Sequence, residues 1–404
     1  MCAKSKYACL SAGYLLFLNN LVVNLDAAGT VWRVNQAAYT PTEVTRGYAS
    51  LDNIAEPEIR SIRHFLPDKA GVRKARRTLH AKAISIAAVF ATGYYLAVIG
   101  NRHPLLHLAG IVLVAHACVA AATGIMHDAN HSAFSKNKGL NKAAAVVADA
   151  LGASSWMWRF QHNLTHHRHT NVQTLDDDIE QMPFLRLSDH QETRWYFRYQ
   201  HIYAWFLYCF LTVKWLFVGD FGKLASKTIT YDGVTREVRT STVVGVVGGK
   251  LAHASWALAI PLLLHSWYIV IASYLAIAFF VSFSLSVVFQ LAHCVEEAQM
   301  VPSDTEHGGA HTLNHQLKTT VNIESGNKVA GWYMGWMYGG LDNQIEHHLA
   351  PRFPHTCYKD MSNNVRKYCQ ETGLKYLTHK SLTQGVLSHY RHLRTMALGV
   401  SASA

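Results

Sequence analysis

Charge is scarce in this chain. Of 404 residues only 16% are Asp, Glu, Lys or Arg, half are hydrophobic, and the mean hydropathy is close to zero. An ordinary soluble protein of this length would need two or three water-facing domains. So little charge instead suits one membrane domain whose apolar spans alternate with polar segments. Acidic residues are the scarcer kind, 26 against 37 basic ones, for a formal net charge of +11. That excess fits lysines and arginines held at a cytoplasmic face against anionic lipid, and also docking of an acidic partner such as a small redox protein or an acyl carrier. The seven cysteines contain no C-x-x-C pair, which argues against a secreted disulfide framework and for reduced thiols. A cleavable leader is disfavoured too: the apolar run after Lys4 and Lys6 is interrupted by Asn19 and Asn20, and no small-residue cleavage site follows. No internal repeat or low-complexity tract is visible.

Residues 83–100 and 104–125 are uncharged, each about the ~20 residues that cross a bilayer as a helix, and they follow a basic segment at 59–79. A third stretch, 251–292, holds no Asp, Glu, Lys or Arg. As one helix it would extend about 63 Å, against a hydrocarbon core of ~30 Å, so it must cross twice, turning near His265-Ser266-Trp267. Spans are therefore expected at 83–100, 104–125, 251–270 and 271–292. Residues 202–218, aromatic and carrying Lys214, are ambiguous between a fifth crossing and an interfacial helix. Basic residues are concentrated outside the turns at 101–104 and 265–268, which places both termini and the long central segment in the cytoplasm.

Histidine, by contrast, is abundant, with 25 residues. They cluster just beyond the expected membrane exits or between them: His127 and His131 after 104–125, His162, His166 and His167 in the central segment, His293 directly after 251–292, then His347 and His348 beside Gln344. On a helix, residues three or four apart share a face, so each pair can address one metal. Imidazole suits Zn, Cu, Fe and Ni, and spacing alone leaves the metal open. A single H-x-x-x-H is often only a solvated pair. Three such clusters, each at a membrane exit or in the loop between exits, are not a coincidence. Parity adds a constraint: if all clusters meet on one face, an even number of crossings separates the second from His293, which makes 202–218 interfacial. His80, His103, His107, His116, His253 and His265 read as packing or interface residues. His307, His311 and His315 recur every four residues but stand in a glycine-weakened segment, and are not expected to bind metal.

The words HDANHSAF, HNLTHHRHTN, QLKTTVN and LDNQIEHHLAP, in this order around paired spans, resemble the membrane fatty-acid desaturases. The resemblance is to the front-end group, in which glutamine opens the third box, and it covers about residues 80–360. It implies an all-α integral membrane fold: four transmembrane helices in two hairpins under a cytosolic helical cap that holds a histidine-ligated di-iron site. Residues 1–79 would form an N-terminal cytosolic segment, 80–360 the membrane domain, and 361–404 a C-terminal cytosolic tail. The implied metal ligands are His127, His131, His162, His166, His167, His293, His347 and His348, with Gln344 acting through water. Asp128 and Glu346 are expected to orient ligating imidazoles by accepting their other N–H, with His169 beside them. The acidic run Asp176-Asp177-Asp178 reads as a solvated loop or a shaped entry.

What the resemblance further implies is O2-dependent removal of two hydrogens from an acyl chain by two Fe ions, with oxygen leaving as water. A metal must carry such chemistry. The chain would position one pair of carbons in an apolar tunnel near Trp156, Trp158, Trp332 and Trp336. Lacking the haem-binding HPGG word, it would take electrons from a separate ferredoxin or cytochrome b5 type donor. The acyl carrier stays open among lipid, CoA and acyl carrier protein, and hydroxylation or triple-bond formation would use the same boxes. No nucleic-acid partner is expected. A membrane zinc hydrolase is the reading of a different class, since HDANH approaches H-E-x-x-H, but it leaves two clusters unexplained. A metal sensor or transporter would want charges along the spans, which are missing.

Overall fold

A computed structural model of the chain describes residues 65–100, 103–231, 234–302 and 312–398; the apolar run near the N-terminus, His307 and His311 lie outside them. Helix α1, Lys69–Tyr94, begins where the Asp68 carboxylate accepts the Gly71 amide at 2.7 Å, and it continues through a π turn to Ile99. Helix α2, Pro104–Ala121, starts with proline, whose missing N–H costs nothing in a first turn. A π turn, Ala122–Met126, joins α2 to the short helix His127–Asn130. Helix α3, Lys138–Ala150, is capped by Asn137 and leads to a long π-helical turn, Arg159–His166. A broken helix over Trp195–Ala225 alternates 3₁₀, α and π turns. Helix α4, Thr240–Ala254, carries on to Leu264, and α5 runs Trp267–His293. The remainder comprises α6 (Leu313–Thr319), α7 (Lys328–Tyr338), α8 (Gln344–Leu349), α9 (Tyr358–Thr372) and α10 (Leu382–Leu398).

Among the described residues, five helices are long and apolar enough to cross a membrane: Lys69–Ile99, Pro104–Asn130, Trp195–Ala225, Thr240–Leu264 and Trp267–His293. Four spans were expected, and the additional candidate is the segment read as interfacial. The turn near His265 is present, with His265 extended at φ −133°, but the two helices divide there and not at 270/271. The first of them starts at Thr240, well before 251, because Lys250 is buried against Asp220 and does not end the apolar helix. Likewise α1 begins at Lys69 and not at 83, its basic first turns extending the helix beyond its apolar part. The chain is not wholly α: β1 (Thr228–Tyr231) pairs antiparallel with β2 (Val234–Glu237), and β3 (Asn322–Ile323) pairs parallel with β4 (Thr378–His379).

Three buried clusters hold these pieces in register. Val114, Cys118 and Ala122 of α2 pack with Val281 and Leu285 of α5 and Met337 of α7. Phe65, Leu313 and Ile345 pack with Val365 and Cys369, and Leu393 of α10 joins Tyr208 and Cys294. Residues beyond 360, expected as a tail, thus contribute to the core. Gly339 ends α7 at φ +60°, where a Cβ would collide with the Thr123 carbonyl, and the Thr123 hydroxyl donates to the Met337 carbonyl at 2.7 Å. Only glycine lets α7, and with it the third box, approach the π turn below the first box so closely.

Candidate metal centre

The second box does not lie on an α-helix. Its π-helical hydrogen bonding, with the His167 amide donating to the His162 carbonyl at 3.1 Å, puts residues four and five apart on one face. His162 therefore faces both His166 and His167, its Nε2 lying 3.2 Å from that of His167. On an α-helix the adjacent pair would diverge. The first box keeps α spacing, with the His131 amide on the His127 carbonyl, but hangs from its own π turn. His347 and His348 follow Gln344 on α8.

All eight histidines converge. Ligand atoms of His127, His131, His162 and His347 lie within 4.8 Å of one another, as do those of His166, His293 and His348, and those of His167, His347 and His348. Ring centroids are 4.5 Å apart for His127 and His347, 4.6 Å for His166 and His293, and 4.4 Å for His167 and His348. Every one is buried. The Nε2 atoms of His127, His166, His293, His347 and His348 are enclosed without a hydrogen-bond partner. Buried polar atoms are rarely left so, and several orphaned imidazole nitrogens facing one space fit metal ions as their missing partners. The donor set is large enough for two ions.

Several outer contacts fix which nitrogen is available. His166 Nδ1 donates to Asp176 at 3.1 Å, and His293 Nδ1 to the Thr319 carbonyl at 3.2 Å. His348 Nδ1 donates to Thr170 Oγ1, whose own hydrogen goes to the His166 carbonyl at 2.8 Å. His347 Nδ1 meets the Tyr358 hydroxyl at 3.2 Å. Each bond keeps the proton on Nδ1 and turns Nε2 toward the neighbouring rings. Burial and mutual repulsion hold His131, His162, His167, His347 and His348 well below the usual imidazole range, so their lone pairs are free of protons. His166 is the exception: burial pulls it down, but Asp176 and Asp178 outweigh that and raise it to about 9.

The residues expected beside the ligands are placed differently. Asp128 sits 3.9 Å from His127 Nδ1, but its Oδ2 takes both the amide and the Nδ1–H of His355 at 3.0 Å. Glu346, one residue before His347 and so turned away from its face, accepts from Asn322 at 2.7 Å and Tyr376 at 2.9 Å; burial lifts its carboxyl to about 7. His169 is buried but belongs to none of the ligand groups. Gln344 is buried, with Oε1 lacking a partner. Asp176 is no solvated loop residue: it is fully buried and accepts the Asn171 and Asp178 amides besides His166. No sequence spacing marked it. His355 was missed as well, along with its contact to Lys82 Nζ at 2.9 Å. His315 donates to the Thr170 carbonyl and is structural. The matched word QLKTTVN proves to be a platform: Gln316 bonds the His167 carbonyl, Thr319 receives His293, and the Asn322 side chain receives the Ile345 amide.

A cavity of about 510 Å³ opens beside His162, His166 and His293, walled by Tyr208, Trp215 and Phe289. A smaller cavity of about 100 Å³ lies between the spans, where Cys118, Trp256 and Val281 make an apolar lining. Of the tryptophans expected at a tunnel, Trp158 stacks on His162 with centroids 4.2 Å apart and lines the larger cavity. Trp156 instead stacks on Phe160, and Trp332 is exposed on α7.

The family model described as fatty acid desaturase matches residues 102–380. A protein of Arthrospira platensis named sn-1 linoleoyl-lipid 6-desaturase is 28% identical over 81% of this chain and 88% of its own length. One of Synechocystis with the same name is 30% identical over 72% of this chain and 80% of its own. An acyl-lipid (8-3)-desaturase of Physcomitrium patens is 31% identical over 78% and 66%. With its histidine boxes gathered in one buried centre and a family match over most of its length, the chain belongs to the fatty acid desaturase family.

Proposed function

We propose that this integral membrane oxidoreductase inserts a double bond into an acyl chain esterified in a membrane lipid. The observation that carries the reading is the convergence of eight buried imidazoles, three of which, His162, His166 and His293, wall a largely apolar cavity. His127, His131, His162 and His347 would hold one Fe ion, and His166, His293 and His348 the other. His167 stands between them, and Gln344 would reach the centre through water. Two bound irons, given electrons by a separate ferredoxin or cytochrome b5 type donor, would supply the O2-dependent removal of two hydrogens from unactivated carbons. The protein's own part is placement: Phe289 and Trp158 wall the cavity beside His162, exclude water and hold one carbon pair near the ligands. The zinc hydrolase reading needs Asp128 as a base at the metal, whereas its Oδ2 is engaged by His355.

Topology follows from parity. His166 and His293 are neighbours, so the chain between them crosses the bilayer an even number of times. Thr240–Leu264 and Trp267–His293 supply two, and the broken helix Trp195–Ala225 lies at the interface, where its exposed Trp195, Phe206 and Phe217 meet lipid. At ~1.5 Å per residue α5 spans about 40 Å, enough to clear a ~30 Å core and raise His293 above it. The concentration of basic residues outside the two turns puts that side, with the centre and both chain ends, in the cytoplasm. Expression with a reductase system in a host of known lipids, followed by mass spectrometry, tests the reading. A new double bond in the acyl-lipid pool is expected. Change confined to the thioester pool would reassign the carrier to CoA or acyl carrier protein, and a hydroxylated or triple-bonded product would reassign the reaction.

A further inference from the structure

Two buried charges meet each other away from the histidines. Lys250 of α4 and Asp220 of the broken helix are both buried, with Nζ 2.6 Å from Oδ2. Burying an ion pair is costly unless its remaining hydrogen bonds are made. Lys250 is fully engaged. Its ammonium also donates to the Gly152 carbonyl at 2.5 Å and the Trp215 carbonyl at 3.2 Å.

Those two acceptors stand where two cavities share a wall, the place of a neck between them. Ala153 and Trp215 line both the larger cavity beside the histidines and the apolar cavity between the spans. Gly152 immediately precedes Ala153, and Trp215 is itself an acceptor, so one ammonium ties the backbone of both walls. The same loop is pinned twice more from α4: His253 Nδ1 and Trp256 Nε1 both donate to the Ala150 carbonyl, at 3.1 and 2.8 Å. Gly152 stands at φ +89°, where a Cβ would press on the His253 ring and Leu216 at 3.2 Å. Asp220, which fixes the ammonium, borders the larger cavity.

We propose that the Lys250–Asp220 pair is a positioning device that fixes this neck, setting how far an acyl chain runs past the histidines and hence which carbons are desaturated. The inference rests on the acyl-substrate reading above. Neither residue hydrogen-bonds a box histidine, so the pair acts on the lie of the chain and not on the metal ligands.

The test uses the full-length, iron-loaded variants K250M and D220N in a host offering acyl chains of several lengths, with double-bond positions read by mass spectrometry. At least about a tenth of the product should carry a bond displaced by one or more carbons, or the preferred chain should change by about two carbons, with iron content kept. Acyl chains that co-purify with the metal-free variants should shift in length the same way. K250R, which keeps the charge, should restore the native position. Unchanged positions and lengths would overturn the proposal, whatever happens to total turnover. Should K250M and D220N fail to accumulate as folded protein, A153V narrows the neck directly, and unchanged positions there overturn it equally. A wild-type chain giving no unsaturated product would instead overturn the acyl-desaturation reading.

Discussion

Replacing Asp176 by Asn removes one charge and almost no volume, and the consequences can be worked from its contacts. The carboxylate is fully buried and accepts from His166 Nδ1, the Asn171 amide at 2.8 Å and the Asp178 amide at 3.0 Å. Asn can still accept with one oxygen, but its amide group opposes one of these donors. The least constrained response is for His166 to move its proton to Nε2, which then cannot bind metal. Losing one charge-assisted bond costs about 1.5–3 kcal/mol, which corresponds to a loss of roughly 10–100-fold in metal affinity, the range found when such outer carboxylates are removed. Graded chelation followed by metal analysis should show D176N releasing iron at about one tenth to one hundredth of the chelator strength that the wild type requires. D178N should release it later than D176N, because Asp178 is 39% exposed and lies farther from His166, at 3.4 Å. Identical release curves for D176N and wild type, on equally folded protein, would refute the coupling of Asp176 to the centre.

Three further outcomes are expected. H293A should lower bound iron and abolish turnover, whereas H315A should keep most of both, since His315 is occupied by the Thr170 carbonyl; the reverse ranking in metal analysis would displace His293 from the centre. G339A should cost at least about 2 kcal/mol from the left-handed backbone and the collision with Thr123, seen as lost folded protein in detergent; a wild-type melting curve would count against the close α7 contact. Burial holds His389 at about 3 and His392 at about 4 against an ordinary 6.5, so both are neutral when folded. Their depressed values stabilise the fold fully above pH 6.5, and that contribution falls as pH drops through the window from 6.5 toward 4. Between pH 7 and 5 the loss is about 2 kcal/mol for each, so proteolysis within α10 should rise over that interval; flat susceptibility would contradict the burial of both rings.

Much of the centre was legible because His127, His131 and His293 stand at the ends of apolar stretches and the other five histidines repeat at helical spacing between and after them. The parity constraint rests on the same ends and concerns only the number of crossings between His167 and His293; Trp195–Ala225 is nonetheless long and apolar enough to cross. What was not legible depends on contacts between distant segments. Span ends were misjudged where charges are neutralised in the fold, as with Lys250 on Asp220, since a sequence shows the charge and not its partner. The π geometry of the second box follows from packing, so α spacing brought the same histidines together with the wrong local structure. Glu346 looked like an orienting carboxylate because it adjoins His347, yet adjacency on a helix turns it away, toward Asn322 and Tyr376. Asp176 and His355, which bond His166 and Asp128, carried no spacing that could single them out.

The central claim is that the eight converging imidazoles form a two-iron, oxygen-using centre. Metal analysis of protein purified from iron-replete cells, paired with turnover in the presence and absence of O2, tests it most directly. About two irons per chain and turnover only with O2 are expected. Stoichiometric zinc with undiminished anaerobic turnover would contradict it.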